Sequence, residues 1–394
     1  MVRLFRFLAL LVAGLAALLV IAWWMARPAT PDAFYAPPTD APVRPGALIR
    51  QEAFNRGVPA DAQGWRILYG TTRHEGSPSV ASAVVVVSRK SQDGPRQLIA
   101  WTHGTTGIVP GCAPSLLDEP FANVPALRQA IDKGWVFVAT DYVGLGTPGP
   151  HPYLIGEGQA RSALDSIRAV GQMKEFRLGN GAVVWGHSQG GHAALWTGRL
   201  APTYAPELNI LGVAAVAPAS DLRPLLEAAQ GTTVGRIMSS FVLQSYAQAY
   251  PDVEFDAYVA APTRWLAREM SGRCLAGREA LFSVVEALAI GGSIFHVPPA
   301  SGPLGERLAQ NTPARPLQQT LLVAQGLTDD LVLPGIQASF VQALCNAGQA
   351  LEYRTYAERD HLSVVAPDSP FIADLVRWTE DRFAGRPAPA GCPR

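Results

Sequence analysis

The sequence predicts an α/β fold with a mostly parallel central sheet and an inserted, mainly helical cap. From residue 135 onward, β-rich runs alternate with helix-like segments, which is the order expected of parallel strands joined by helices. Several of these runs are almost entirely apolar, as in strands that are covered on both faces. Between residues 221 and 314 the helical pattern continues without convincing strands, and this segment is the predicted cap.

The predicted elements follow from short apolar runs and from helical periodicity in the residues between them. The first two strands follow each other without a helix, which predicts an antiparallel hairpin at the edge of the sheet. The predicted strands span residues 66–71, 83–88, 97–102, 135–140, 182–185, 211–216, 320–324 and 351–356, and the predicted helices of the body span residues 124–133, 159–176, 189–200, 335–347 and 371–383.

The charge balance of the chain excludes one class of partner. Lys+Arg and Asp+Glu residues number 32 each, so the 394-residue chain has a formal net charge of zero. A neutral chain lacks the basic surface that nucleic-acid binding requires, and we expect no nucleic-acid partner. The predicted body comprises residues 48–220 and 315–394, on either side of the cap at 221–314.

The amino terminus has the pattern of a membrane segment. Arg3 and Arg6 precede an uncharged stretch over residues 7–26, which at ~1.5 Å per residue can cross ~30 Å of hydrocarbon. Trp23 and Trp24 suit a membrane interface, and no small-x-small cleavage site is evident. We therefore predict that residues 1–26 are a signal-anchor that holds an exported protein at the membrane, facing the periplasm or the cell exterior. A cleaved signal peptide and free secretion are the alternative.

The segment over residues 27–47 is rich in proline, which predicts a linker or an extended arm ahead of the folded body.

A G-x-S-x-G motif at residues 186–190 predicts a catalytic nucleophile. The apolar strand at 182–185 runs directly into the motif, and a helix-forming run over 192–200 follows it. This strand–turn–helix setting is the one in which the serine of an α/β-hydrolase is exposed on a tight turn. Ser188 is therefore the predicted nucleophile; the alternative is an ordinary glycine-rich turn.

A serine nucleophile needs a histidine base and an acid that orients it. In α/β-hydrolases these residues occur in the order Ser, acid, His. Three histidines follow Ser188. His192 is one turn into the nucleophile helix and cannot curl back, and His296 lies in the predicted cap. His361, in the loop between the last predicted strand and the last helix, is the predicted base.

The acid should end the preceding strand. The apolar run at 320–324 leads to Gly326, and Asp329 and Val332 complete a G-x-x-D-x-x-V arrangement that carries the acid in many such hydrolases. Asp329 is the predicted acid. Asp330 is the first alternative, and Asp360 is the second because neighbours along a chain rarely face each other well.

An oxyanion hole requires N–H groups that point at the developing negative charge. One donor is predicted to be the N–H of Gln189, directly after the nucleophile. The other is predicted in the loop at 101–107, after the third strand, with Thr105 as the donor and Gly104 or Thr106 as alternatives. A plain polar turn is the competing interpretation of that loop.

No cofactor or metal is predicted. The G-x-G-x-x-G match at 144–149 places its last glycine between two prolines, so no helix can begin there to bind a pyrophosphate. C-x-x-C and H-E-x-x-H zinc motifs are absent from the sequence. In an exported chain, four cysteines predict two disulfides, and three pairings are open.

Five motifs together resemble the secretory lipase family of α/β-hydrolases, over roughly residue 48 to the end of the chain. The motifs are W-T-H-G-T-T-G at 101–107, C-A-P-S at 112–115, D-Y-V-G-L-G at 141–146, G-H-S-Q-G-G at 186–191 and Q-G-x-x-D-D-L-V at 325–332. The resemblance implies lipase or esterase activity, a helical cap, and the disulfides Cys112–Cys274 and Cys345–Cys392. The predicted anchor departs from the cleaved signal that is usual in the family.

The sequence thus predicts an esterase that cleaves lipophilic acyl esters with a Ser-His-Asp triad. Three alternatives stay open: transfer of the acyl group to another alcohol, cleavage of an amide, and a catalytically silent domain that binds a lipid or a partner.

Overall fold

The structure, a computed structural model, describes residues 2–38, 43–387 and 392. Met1, residues 39–42 of the predicted linker and residues 388–391, 393 and 394 of the predicted body lie outside the described residues. Strands are β1 (Leu48–Ala53), β2 (Ala62–Thr72), β3 (Pro78–Ser88), β4 (Arg96–Thr102), β5 (Val136–Thr140), β6 (Leu178–His187), β7 (Ile210–Val216), β8 (Thr320–Gly326) and β9 (Leu351–Tyr356). Helices are α1 (Val2–Met25), α2 (Leu127–Asp132), α3 (Gly156–Val170), α4 (Gln189–Tyr204), α5 (Leu222–Ala229), α6 (Thr233–Ala249), α7 (Phe255–Tyr258), α8 (Arg264–Ser271), α9 (Gly277–Ile290), α10 (Gly302–Gln310), α11 (Pro334–Asn346) and α12 (Pro370–Phe383).

The strands form one sheet in the order β1-β2-β3-β5-β4-β6-β7-β8-β9. From β5 to β9 all neighbours are parallel, whereas β1, β2, β3 and β5 pair antiparallel in succession. The predicted α/β fold with a mostly parallel sheet is confirmed. The predicted hairpin corresponds to β2 and β3, and β1, which the sequence does not predict, lies outside it at the edge.

Both faces of the sheet are covered, which explains why the central strands are apolar at almost every position. Along β3, Ala83, Val85 and Val87 pack into one core cluster, while Val84 and Val86 pack into the other. This alternation is the two-residue period of a strand. The first cluster includes side chains of α3, α4 and α11, and the second includes side chains of α2 and α12.

The segment between β7 and β8 consists of helices α5 to α10 and contains, in its described residues, one isolated β-bridge between Val259 and Phe295. It has its own apolar cluster, to which Phe241, Tyr246 and Leu304 contribute. The loop ahead of α3 adds Tyr153 to the same cluster, so the helical insertion packs directly on the body.

The arm ahead of β1 corrects the prediction that the folded body begins near residue 48. Phe34 and Tyr35 are buried against Leu68 of β2, and the Tyr35 hydroxyl lies 2.8 Å from the Ser115 hydroxyl. Asp32 caps the short turn by accepting the N–H of Phe34 at 2.9 Å. Proline-rich composition indicates extended backbone, but an extended arm can still bury two aromatic rings, and here it does.

The predicted membrane anchor falls on α1. Within the described part of the chain, no helix combines the length and the hydropathy needed to cross a membrane. Anchoring stays a prediction of the sequence.

Candidate active site

Ser188 lies on a strained turn between a strand and a helix. Strand β6 ends at His187 and α4 begins at Gln189, and the serine between them has φ 59° and ψ −122°. A positive φ is uncommon for a residue with a side chain and indicates a conformation that its surroundings enforce. The N–H of Ser188 donates to Val216 of β7 at 2.9 Å, and its carbonyl accepts the N–H of Ala219 at 3.1 Å.

The two glycines of the motif are required by close backbone contacts. A Cβ at Gly186 would collide with the carbonyl of Gly190, and a Cβ at Gly190 would collide with the carbonyl of Thr102 at the end of β4. The elbow therefore packs against the strand that leads into the predicted oxyanion loop.

His361 lies between Ser188 and Asp329 and contacts both. Its Nε2 is 2.9 Å from the Ser188 Oγ, and its Nδ1 is 2.8 Å from the Asp329 Oδ2. Because a carboxylate only accepts, Nδ1 carries the proton, which leaves Nε2 free to accept the proton of the serine hydroxyl. The structure thus brings together the three residues that the sequence predicts as a triad.

The carboxylate of Asp329 is fully buried and is held by several donors. Its Oδ1 accepts the main-chain N–H groups of Leu331 and Val332, at 2.9 and 2.8 Å, and its Oδ2 also accepts the side-chain amide of Gln325 at 3.0 Å. These bonds fix the carboxylate so that it can orient the imidazole.

The alternative acids lie elsewhere. Asp330 is exposed, and Asp360 accepts the N–H groups of Leu362 and Ser363 within its own turn. Neither carboxylate contacts the ring of His361 among the hydrogen bonds of the described residues.

The ring of neither alternative histidine contacts Ser188 among the hydrogen bonds of the described residues. The Nε2 of His192 is 2.7 Å from the carbonyl of Asn311, which follows α10, and His296 is exposed in the helical insertion.

The predicted oxyanion loop lies beside Ser188. A Cβ built on Gly104 would lie 3.6 Å from the Cβ of Ser188. The hydroxyl of Thr105 is 2.8 Å from the Tyr153 hydroxyl, and the carbonyl of Thr106 accepts the N–H of Leu275 at 2.8 Å. Gln189 is the first residue of α4, where N–H groups have no intrahelical acceptor. The donor roles of Gln189 and Thr105 stay predictions.

Two disulfides join the pairs that the resemblance implies. Cys112 is bonded to Cys274, with Cα atoms 5.2 Å apart, and Cys345 to Cys392, with Cα atoms 5.8 Å apart. The first bond joins the helical insertion to the segment after the predicted oxyanion loop, beside the Leu275–Thr106 hydrogen bond. Within the described residues, one cluster has metal-ligand spacing, and it consists of Cys112, Cys274 and Glu279. The disulfide occupies both of its sulfur atoms.

Sequence reasoning missed the ring of His187. This side chain is buried, its Nε2 lies 2.8 Å from the main-chain carbonyl of His361, and burial lowers the pKa of the ring to about 3. The position inside the G-x-S-x-G motif is visible in the sequence, but the contact with a residue 174 positions away is not.

A sheet of this order, with helices on both faces and a serine elbow at the carboxyl edge of β6, defines an α/β-hydrolase. The chain belongs to the secretory lipase family, whose family model matches residues 122–391. The predicted family and fold are confirmed.

Several known proteins with related sequences or structures are described as lipases. A secreted triacylglycerol lipase of Malassezia globosa is 24% identical over 92% of this chain and 83% of its own length. A probable inactive lipase of Mycobacterium tuberculosis is 26% identical over 92% of this chain and 84% of its own length. The closed-state structure of Candida antarctica lipase A superposes with a TM-score of 0.76 at 20% identity, over 92% of this chain and 88% of that chain.

Proposed function

We propose that the protein is a serine hydrolase that cleaves carboxylic esters of lipophilic acyl groups through a covalent acyl-enzyme. The observation that carries the proposal is the hydrogen-bonded series Asp329–His361–Ser188, with contacts of 2.8 and 2.9 Å. Membership of the secretory lipase family and the α/β-hydrolase fold support ester hydrolysis.

In the proposed mechanism the Ser188 hydroxyl attacks the ester carbonyl while Nε2 of His361 takes its proton. The negative charge on the tetrahedral intermediate is stabilised by the N–H groups of Gln189 and Thr105. The imidazolium, held by Asp329, then gives its proton to the leaving alcohol, and the acyl-enzyme forms. Water then attacks the acyl-enzyme by the same steps, with His361 again as the base, and the carboxylic acid is released. These steps require neither a metal nor a cofactor.

We propose that the helical insertion, residues 221–314, acts as a cap. This cap favours a lipophilic acyl group. Met238 of α6 accepts a hydrogen bond from the Tyr153 hydroxyl at 3.3 Å, and the same hydroxyl contacts Thr105. An apolar cap residue therefore lies two contacts from the proposed oxyanion loop. The apolar cluster of the cap also includes Tyr153, from the loop ahead of α3. This supports an apolar environment for the acyl chain.

Export is supported by the secretory family and by the two disulfides, which persist in oxidising compartments. We propose in addition that residues 1–26 stay on the protein and tether it to the membrane.

A panel of p-nitrophenyl esters of increasing acyl length tests the proposed function on purified protein. We expect hydrolysis by the wild type, labelling of Ser188 by a serine-directed phosphonate, and a loss on the order of a millionfold in kcat for Ser188→Ala. Retained activity in Ser188→Ala would exclude the serine mechanism. A folded wild type that neither hydrolyses the esters nor reacts with the phosphonate would favour the silent lipid-binding or partner-binding domain.

Product analysis with and without an added alcohol separates hydrolysis from the alternative of acyl transfer. A matched amide substrate tests the amidase alternative.

A further inference from the structure

His187 bridges the nucleophile elbow and the loop that carries the base. Its Nε2 lies 2.8 Å from the main-chain carbonyl oxygen of His361, and the two imidazole rings are 4.7 Å apart between centroids. A carbonyl oxygen only accepts, so Nε2 of His187 carries the hydrogen and donates it. The ring is 2% exposed, which shields this bond from water.

The hydrogen bond from His187 acts on the main chain of His361, whereas the other partners of His361 contact its ring. Asp329 and Ser188 contact the two ring nitrogens of His361, whereas His187 contacts its main chain. Asp360 holds the following turn through the N–H groups of Leu362 and Ser363. Among the hydrogen bonds of the described residues, the His361 carbonyl receives its bond from His187.

The geometry has a direct consequence for the reacting atoms. His187 is bonded covalently to Ser188, so a bond from its ring to the main chain of His361 fixes the base relative to the nucleophile. The ring also lies near the oxyanion loop, because a Cβ built on Gly104 would be 3.7 Å from its Nδ1. One side chain thus contacts the base and lies close to the oxyanion loop.

The charge state of His187 suits this position. Burial, together with a smaller effect of the neighbouring His361, lowers its pKa to about 3, so the ring is neutral when the base becomes an imidazolium. A cation at the same place would repel the charge that forms on His361 during the reaction.

We propose that His187 is a positioning residue, which sets the distance between the His361 ring and the Ser188 hydroxyl by hydrogen bonding to the main chain of the base. The proposal rests on the proposed function, since it assigns His187 a role in that same reaction.

The test compares His187→Met with His192→Met. Methionine approximates the length of histidine but donates no hydrogen bond. His192 is a matched control, because it is also buried, lies five residues later, and bonds to a main-chain carbonyl, that of Asn311, at 2.7 Å. Both proteins are first shown to be folded by thermal unfolding, and active serines are counted by phosphonate titration.

We expect His187→Met to lower kcat by about 10- to 100-fold, the effect of a small displacement of reacting groups, with KM unchanged. His192→Met should keep the wild-type kcat. His187→Gln, whose amide can reach the same carbonyl, should recover most of the loss. Wild-type kcat in His187→Met, equal losses in both methionine variants, or a raised KM with unchanged kcat would each overturn the proposal.

If His187→Met does not fold, His187→Gln and His187→Asn give the same test. Both carry an amide, but the shorter Asn falls one bond short of the carbonyl, so its kcat should be the lower one; equal kcat values would overturn the proposal. Retained activity in Ser188→Ala would overturn the proposed function as well. An active wild type, an inactive Ser188→Ala and a fully active His187→Met would overturn the role of His187 alone.

Discussion

Asp329 accepts a hydrogen bond from Nδ1 of His361 across 2.8 Å, while its other carboxylate oxygen accepts the main-chain N–H groups of Leu331 and Val332. The turn after β8 therefore fixes the carboxylate independently of its contact with the histidine. The neighbouring Asp330 is exposed, although it stands only one position away in the sequence. This difference in environment makes the role of the acid testable with two nearly identical substitutions.

Asp329→Asn should lower kcat far more than Asp330→Asn. An amide at position 329 presents an N–H or a weaker acceptor to His361 and favours the wrong tautomer, a change worth about 10⁴-fold in comparable triads. Asp330→Asn should stay close to the wild type because it changes an exposed charge. Kinetics on one p-nitrophenyl ester with both purified variants makes the comparison, and a reversed ranking would show that the acid is misassigned.

Gly190→Ala should reduce both stability and activity, because the added Cβ collides with the carbonyl of Thr102. Gly335→Ala is the matched control. Each glycine is the second residue of its helix, but a Cβ at position 335 meets no atom within 4 Å. Alanine there should be neutral or stabilising by about 0.5–1 kcal/mol. Denaturant titrations and ester kinetics measure both effects; equal behaviour of the two variants would contradict the close packing of the elbow.

The two disulfides should differ in their effect on activity. Replacing both Cys112 and Cys274 by serine frees the helical insertion from the segment after the proposed oxyanion loop and should lower activity as well as stability. The Cys345 and Cys392 double serine variant should lower stability chiefly. In the chain-entropy model, closures over 162 and 47 residues stabilise by about 5 and about 4 kcal/mol. Thermal unfolding with ester kinetics tests the ranking, and a greater loss of activity in the second variant would refute it.

The folded state should lose stability as the pH falls below about 6.5, the pKa of histidine in an unfolded chain. Burial lowers the pKa of His103 and His192 to about 4, and that of His151 and His187 to about 3. Between these values and 6.5 the unfolded chain binds protons that the folded chain does not. Stability is therefore fully present above pH 6.5 and is lost on acidification, by about 1.4 kcal/mol per pH unit for each group.

Denaturant midpoints from pH 8 to pH 5 check this dependence, with His192→Gln as the comparison. The variant should show a shallower fall than the wild type between about pH 6.5 and 5. Burial raises the pKa of Asp141, which acts in the opposite sense at low pH, so the difference between the two curves isolates His192. Parallel curves would contradict a neutral, buried His192.

Residues 1–26 should remain on the mature protein. The uninterrupted apolar stretch and the bulky Trp23–Trp24 pair leave no good site for signal peptidase. Amino-terminal sequencing of the exported protein is the measurement. A mature terminus near residues 27–32 would show that the segment is a cleaved signal.

Eight strands of the sheet were predictable and β1 was not, because its signal is weak. Seven of the eight contain an apolar run, and in β9 the apolar Leu351 and Tyr353 alternate with the charged Glu352 and Arg354. β1 carries Arg50 and Glu52, is half-buried or exposed along its length, and lies at the edge of the sheet. With partial burial, β1 has neither a long apolar run nor an alternating pattern, so its sequence does not differ clearly from that of a loop.

The site was predictable to the extent that the fold imposes a chain order on it. The elbow is a local motif, the order of acid and histidine favours His361, and the spacing from Gly326 favours Asp329 over Asp330 and Asp360. The contacts of His187 with His361 and of Thr105 with Tyr153 span 174 and 48 positions, and they depend on how separate elements pack. Neither produces a pattern within one segment of sequence.

Both disulfides join cysteines that are consecutive in the chain, since Cys112 pairs with Cys274 and Cys345 with Cys392. A chain that crosses a membrane amino terminus first delivers these thiols to an oxidase in native order. An oxidase that joins each pair as it emerges therefore makes the correct bonds directly, without the slow reshuffling that other pairings require. Production of this protein in an oxidising compartment should accordingly depend on the supply of oxidant rather than on a disulfide isomerase.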